Sequence, residues 1–128
     1  MSNFPKVSIV ILNYNAGNLL EKCISSVIQS NYENLEIIVI DNASEDQSQK
    51  KCKEKFPQIR LFENKENLGY CQGNNIGLEK VTGEFVIILN PDTEVESDWI
   101  REFLKDYDKH CEGLYQPKLL AISDKTRI

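Results

Sequence analysis

The stretch EFVIILNPDTEV (residues 84–95) decides how the chain folds. Phe85 to Leu89 is an unbroken run of aromatic, β-branched and aliphatic residues, the composition of a strand in a sheet covered on both faces. Asn90-Pro91-Asp92 then ends the run. Proline lacks the N–H that a ladder needs and drives the residue before it towards extended backbone, so Asp92 is delivered at the strand's carboxyl end. Ligands bind at that end of open α/β sheets, although N-P-D is equally an ordinary turn tripeptide.

Outward from that strand, Val7 to Leu12 and Leu35 to Ile40 are two more near-continuous apolar runs rich in valine and isoleucine, and both predict central parallel strands. Between them Leu19, Leu20, Cys23, Ile24, Val27 and Ile28 recur at helical spacing and give one apolar stripe to lay on a sheet. Ser44, with Gln47 three residues on, has the form of a capping box opening a mostly polar helix, and Glu45 and Asp46 suit the positive end of its dipole. Pro57 breaks that helix, Ile59 to Phe62 forms a short strand, and Gly69 to Val81 reads as a weaker helix ending at Gly83. Ser97 is placed to cap a last helix whose Trp99, Ile100, Phe103, Leu104 and Tyr107 share one face, which makes Trp99 a core residue rather than a ligand stack. Leu114 to Leu120 reads as a further strand, confined to an edge by Pro117. Strands alternating with helices predict a layered α/β fold with right-handed crossovers, and no repeat or linker divides residues 1–128.

The 128 residues are 41% hydrophobic and 27% charged, an ordinary globular balance. A formal charge of −5 with no Lys/Arg cluster argues against nucleic acid as a partner. No apolar run reaches the ~18 to 20 residues of a membrane span. Residues 1–6 are too short for a signal peptide, so the expectation is a cytoplasmic protein. Cys23, Cys52, Cys71 and Cys111 lack any C-x-x-C pairing and read as reduced thiols, with Cys23 a small hydrophobe in the helical stripe. His110 stands alone and suits the last turn of a helix.

Three predicted strands end in polar clusters: Asn13-Tyr14-Asn15, Asp41-Asn42-Ala43-Ser44 and Asn90-Pro91-Asp92. If the strands are parallel, the clusters share a rim. Asparagine amides offer donors and an acceptor, and a carboxylate accepts from a base N–H or a ribose hydroxyl, so a nucleoside suits them. Neither G-x-G-x-x-G nor G-x-x-x-x-G-K-[ST] follows Leu12, so a diphosphate needs another neutraliser. A hard cation can serve with one or two carboxylates, and Asp92 is the candidate. Asn67-Leu68-Gly69 and Gln72-Gly73-Asn74-Asn75 add a segment whose glycines either bring backbone close to a ligand or relax a tight loop and helix start.

The segments VSIVILNYN, IIVIDNASED, ENLGYCQGNNIGL and GEFVIILNPDTEV, in this order, resemble the amino-terminal half of a family 2 glycosyltransferase from Val7 to about Lys118. The resemblance implies a GT-A fold, a Rossmann-like three-layer α/β/α arrangement with a mostly parallel sheet, and inverting transfer of a sugar from a nucleoside diphosphate to a hydroxyl acceptor. It implies that Asn13 and Asn15 line the base pocket, that Asp41 binds the base or ribose, and that Asn42 to Ser44 stand where the family often has Asp-Gly-Ser. Asn67, Gly69 and Asn75 would border the donor. Asp92 would be the metal carboxylate of an Asp-x-Asp element in which Asn90 replaces the first Asp, with Mg²⁺ or Mn²⁺ as cofactor. The N-P-D form resembles the rhamnosyltransferase-like branch and points to a dTDP- or UDP-sugar. The expected acceptor is a saccharide or lipid-linked hydroxyl in cell-surface polysaccharide synthesis, at the inner face of a membrane.

A carboxylate base must also take the acceptor's proton. Asp98, Asp106 and Asp108 read as outward charge on the last helix, so that base and the acceptor-binding part are expected beyond Ile128. Two other readings compete. One is a non-catalytic nucleotide-sugar-binding module; the other is a flavodoxin-like or response-regulator-like domain, which wants more carboxylates at strand ends than Asp41 and Asp92.

Overall fold

The computed structural model describes residues 4–110. The strand foreseen at Leu114 to Leu120 and the thiol of Cys111 lie outside the described residues. Eight elements follow one another: β1 (Val7–Asn13), α1 (Asn18–Ile28), β2 (Leu35–Asp41), α2 (Ser48–Lys55), β3 (Arg60–Glu63), α3 (Gly69–Lys80), β4 (Phe85–Leu89) and α4 (Trp99–His110). The sheet order is β3-β2-β1-β4 and every pairing is parallel. Two successive steps move the chain one way across the sheet, and the third carries it back past β1.

Alternation along the strands divides the helices between two faces. Val7, Ile9 and Ile11 of β1 and Ile37 and Val39 of β2 are buried in one core with Leu20, Cys23, Ile24 and Val27 of α1, Cys52 of α2 and Ile100 of α4. Phe85 adds edge-on ring contacts to Phe103 and Tyr107 of α4, and Trp99 packs against this core as the sequence leads one to expect. Leu19, counted in the apolar stripe, is 46% exposed and falls outside it.

The opposite face carries α3, against β1 and β2. Glycine lets this helix approach: a Cβ on Gly77 would lie 2.4 Å from Val10 Cγ1, and one on Gly73 would lie 2.5 Å from Leu12 Cδ1. Both glycines are buried against the sheet, so their freedom serves packing there and not a ligand. Because α3 lies over β1 and β2, Val86 and Ile88 of β4 are left 38% and 45% exposed. The expectation that β4 is covered on both faces is therefore corrected for the described residues. An apolar run reports strand propensity, and coverage depends on what is laid over it.

Two helix starts also differ. Ser44 does not cap α2, which begins at Ser48 behind Gln47. Ser44 is drawn instead to Asp41, while Asp46 accepts from the Ser48 N–H at 3.0 Å. The last helix begins at Trp99, two residues after Ser97.

At the amino edge of the sheet, Glu36 joins four segments. Its carboxylate accepts from Ser8 Oγ at 2.7 Å, Thr82 N at 2.9 Å and Thr82 Oγ1 at 2.8 Å, and pairs with Arg60 at 3.0 Å and Lys6 at 3.5 Å. Burial alone would raise its pKa, but these donors and the Lys6 charge together hold it down at about 2. This latch lies at the far end of the strands from the polar clusters.

Candidate functional site

Since all four strands are parallel, their carboxyl ends form one rim carrying Asn13-Tyr14-Asn15, Asp41-Asn42-Ala43-Ser44, Asn64 and Asn90-Pro91-Asp92. Register sets Asn13 beside Asp41 on one side of β1, and Leu89 beside Ile11 on the other. The chain turns back between the two neighbours of β1, which makes the crevice between the ends of β1 and β4 the topological switch point where open α/β sheets bind ligands.

The rim is built in two layers. The lower layer is buried and internally bonded. Asn13 and Asp41 are both 0% exposed, and Asn13 Nδ2 donates to Asp41 Oδ1 at 2.8 Å and to Ser48 Oγ at 2.9 Å. Ser44 donates its hydroxyl to Asp41 Oδ1 at 2.7 Å and its N–H to Asp41 Oδ2 at 2.9 Å. The Ser44 oxygen accepts from the Asn15 N–H at 2.9 Å, and Asn15 Oδ1 accepts from the N–H groups of Glu45 and Asp46 at 2.8 and 3.3 Å. Asp41 is thus the hub on which the 42–48 loop is folded, with both oxygens engaged by protein donors. Ala43 sits at φ +60°, the left-handed backbone for which glycine is suited, at the place where the resembled motif has glycine.

Asn42 makes a second tie. Its Nδ2 donates to Gly69 O at 3.1 Å and its Oδ1 accepts from Asn64 Nδ2 at 2.9 Å, while Asn67 Oδ1 accepts from the Gly69 N–H at 2.9 Å. This brings Asn67 and Gly69, at the start of α3, to the ends of β2 and β3.

The upper layer is exposed. It holds Tyr14, Asn15, Asn67, Gly69, Tyr70, Asn75, Asn90 and Asp92. Asn75 is bonded to none of the other candidates, and Asp92 carries no hydrogen bond or salt bridge among the described residues. Sequence reasoning missed Ser48, Asp46 and Asn64 as members of the rim. Asp46-x-Ser48 carries the i to i+2 pattern of an Asx turn, which is the signal that could have found two of them.

Two hollows, of about 220 and 280 Å³, lie off this rim. One is lined by Glu21, Lys22, Ser25, Ser26, Gln29 and Glu94, the other by Phe4, Glu33, Asn34 and Arg101. Neither gathers the candidate residues.

The described residues contain no group of three or more His, Cys, Asp or Glu able to hold a metal alone. An exposed Asp92 without competing partners nevertheless fits a cation held jointly with phosphate oxygens and water, where one carboxylate suffices. Beneath it, burial and then the Asp92 charge push the Cys23 thiol up to about 12, and burial with Glu21 pushes Cys52 up to about 11, so both stay protonated.

Fold and rim together define a GT-A-like α/β domain. Residues 8–128 match Glycosyl transferase family 2, and the chain belongs to that family. An uncharacterized glycosyltransferase of Haemophilus influenzae is 34% identical over 113 residues, covering 86% of this chain and 35% of the relative. Mannosyltransferase PcManGT from Pyrobaculum calidifontis, solved in complex with GDP-Man and Mn²⁺, superposes with a TM-score of 0.75 at 26% identity over 83% of this chain and 33% of its own. S. aureus TarS 1–349, solved in complex with UDP-GlcNAc, gives a TM-score of 0.76 at 19% identity over 93% of this chain and 41% of its own. The chain spans about a third of the length of the H. influenzae relative. No helix of the described residues is long and apolar enough to cross a membrane.

Proposed function

We propose that this chain is the donor-binding part of an inverting glycosyltransferase that moves a sugar from a nucleoside diphosphate to a hydroxyl acceptor in cell-surface polysaccharide synthesis. One observation carries the reading: an exposed carboxylate, Asp92, stands across the switch-point crevice from a hub of buried Asn13 and Asp41 with half-buried Ser44. The manganese and GDP-Man held by PcManGT support a divalent ion and a diphosphate donor.

In this reading the hub holds its loop still, and the base and ribose rest on the exposed layer above it, with the 53% exposed Tyr14 ring offering a flat face. Asp92 would hold Mg²⁺ or Mn²⁺, with phosphate oxygens and water completing the shell. The bound cation supplies Lewis-acid stabilisation of the departing charge. The acceptor hydroxyl displaces the nucleoside diphosphate at the anomeric carbon, and its proton goes to a carboxylate base. The N-P-D form favours a dTDP- or UDP-sugar of the rhamnosyltransferase-like branch, acting at the inner face of a membrane.

Calorimetric titration with dTDP, UDP and GDP, each with and without Mg²⁺ or Mn²⁺, tests this. Metal-enhanced binding of one nucleotide, with the enhancement abolished in Asp92→Ala, is the expected result. Binding that ignores both metal and Asp92 removes the carboxylate from its role.

A further inference from the structure

The loop after β4 belongs to no ladder, yet it must hold Asp92 steady. Inside it, the Thr93 N–H donates to Asn90 O at 3.1 Å, a single turn bond. Further restraint comes from α1 and the residues that follow it. Cys23 Sγ donates to the same Asn90 O at 3.6 Å, within the range of a sulfur hydrogen bond. One turn on, Ser26 Oγ donates to Cys23 O at 2.8 Å, which aims its lone pairs outward, and it accepts from the Val95 N–H at 3.1 Å. A turn further, Ser30 Oγ accepts from Trp99 Nε1 at 2.8 Å, and the Asn31 N–H donates to Ser97 O at 2.8 Å.

Positions 23 and 26 lie on one face of α1, Ser30 and Asn31 follow its end, and Asp92 sits between the first two tethers. We infer that Cys23 and Ser26 are positioning residues that fix the backbone on either side of Asp92 and so aim its carboxylate at the cation and diphosphate. The inference rests on the reading of Asp92 given above. The carboxylate itself stays exposed and free to ligate, while its backbone is clamped on both sides to a helix that is packed into the core. Partners hydrogen-bonded to a metal ligand itself change metal affinity by about 10- to 100-fold when they are removed, and two that act through the backbone of Asn90 and Val95 belong at the low end of that range.

The test compares the wild-type chain with Ser26→Ala, Ser26→Thr, Cys23→Ala and Cys23→Ser by calorimetry. The probe is whichever of UDP, dTDP and GDP binds the wild type best, titrated with and without Mn²⁺. The readout is the manganese-dependent gain in affinity. Ser26→Ala and Cys23→Ala are expected to lose about tenfold or more of that gain, with the metal-free affinity kept. Ser26→Thr and Cys23→Ser, which keep a hydroxyl donor or acceptor, are expected to restore most of it. Ser26 is only half-buried and alanine suits a helix, so its variant should fold; the two Cys23 variants carry the test independently. A gain undiminished in both alanine variants overturns this inference alone. Equal losses with and without manganese also overturn it, because they mark a merely structural role. A wild-type chain with no manganese gain overturns the Asp92 reading and this inference together.

Discussion

Replacing Asp41 by asparagine changes one oxygen into an amide and removes a charge, while leaving the side chain's shape in place. The wild-type carboxylate is 0% exposed and accepts three hydrogen bonds, from Asn13 Nδ2, Ser44 Oγ and Ser44 N. If the new amide nitrogen takes the Oδ2 position it faces the Ser44 N–H, donor against donor. If it takes the Oδ1 position it faces the Asn13 amide instead, and only the Ser44 hydroxyl can turn to accept. At least one bond is therefore lost whichever way the amide lies, and the survivors fall from charged to neutral strength. A buried donor left without a partner costs about 1–3 kcal/mol, and bonds to a charged group are worth about 1.5–3 kcal/mol against about 1 for neutral ones. The expected loss of stability is ~2–4 kcal/mol, read as the shift in urea midpoint multiplied by an unchanged m-value.

The same substitution frees the 42–48 loop, so metal-free nucleotide affinity should fall along with stability. Ser44→Ala, which removes the hydroxyl but not the backbone bond, should give a smaller loss of both. An Asp41→Asn chain within about 0.5 kcal/mol of wild type, the scatter of neutral surface changes, would refute the hub. Full stability with lost nucleotide binding would instead make Asp41 a direct ligand of the base or ribose.

Three further outcomes follow from the same geometry. Ala43→Gly relieves a left-handed residue that costs about 1–2 kcal/mol, less about 0.5–1 for glycine's freedom in the unfolded chain, so a gain of ~0.5–1 kcal/mol is expected in urea unfolding. Gly77→Ala places a methyl 2.4 Å from Val10 Cγ1 and should destabilise by about 1–3 kcal/mol as α3 is pushed off the sheet; an unchanged midpoint would mean that the helix moves freely. Glu36 has its pKa depressed from 4.5 to about 2, so its contribution is fully present above pH 4.5 and is lost as pH falls through about 2. A depression of that size is worth about 3 kcal/mol, and Glu36→Gln should remove this acid-sensitive component from the stability measured between pH 5 and 2.

Much of this architecture is legible in the chain because β1 and β2 are buried on both faces, and near-continuous valine and isoleucine leave no other reading for Val7 to Leu12 and Leu35 to Ile40. The same logic fails at β4. Val86 and Ile88 lie in an equally apolar run, but the helix on their face among the described residues, α3, is drawn over β1 and β2 by Gly73 and Gly77, a packing preference that no strand pattern records. Ser44 shows a local signal losing to a non-local partner. Its capping box was competing with a carboxylate three residues upstream, and Asp41 accepts both its N–H and its hydroxyl.

Position on the rim is likewise legible where role is not. A polar residue at the end of a parallel strand must reach the ligand-binding edge, which places Asn13, Asp41 and Asp92 without further information. Whether it faces ligand or protein depends on neighbours brought in from far along the chain. Asp41 meets Asn13 across 28 positions and is turned inward, whereas Asp92, which follows a proline on a loop held by α1, is turned outward. The rim therefore separates two tasks that a carboxylate cannot perform at once. A buried, fully bonded carboxylate fixes a loop but has no lone pair left in solvent for a cation, whereas an exposed one keeps its lone pairs in solvent and relies on other residues to fix its direction. Cys23 illustrates why the second half of that division escaped the sequence: its burial follows from the helical stripe, but its bond to Asn90 exists only because the fold lays the end of β4 across α1.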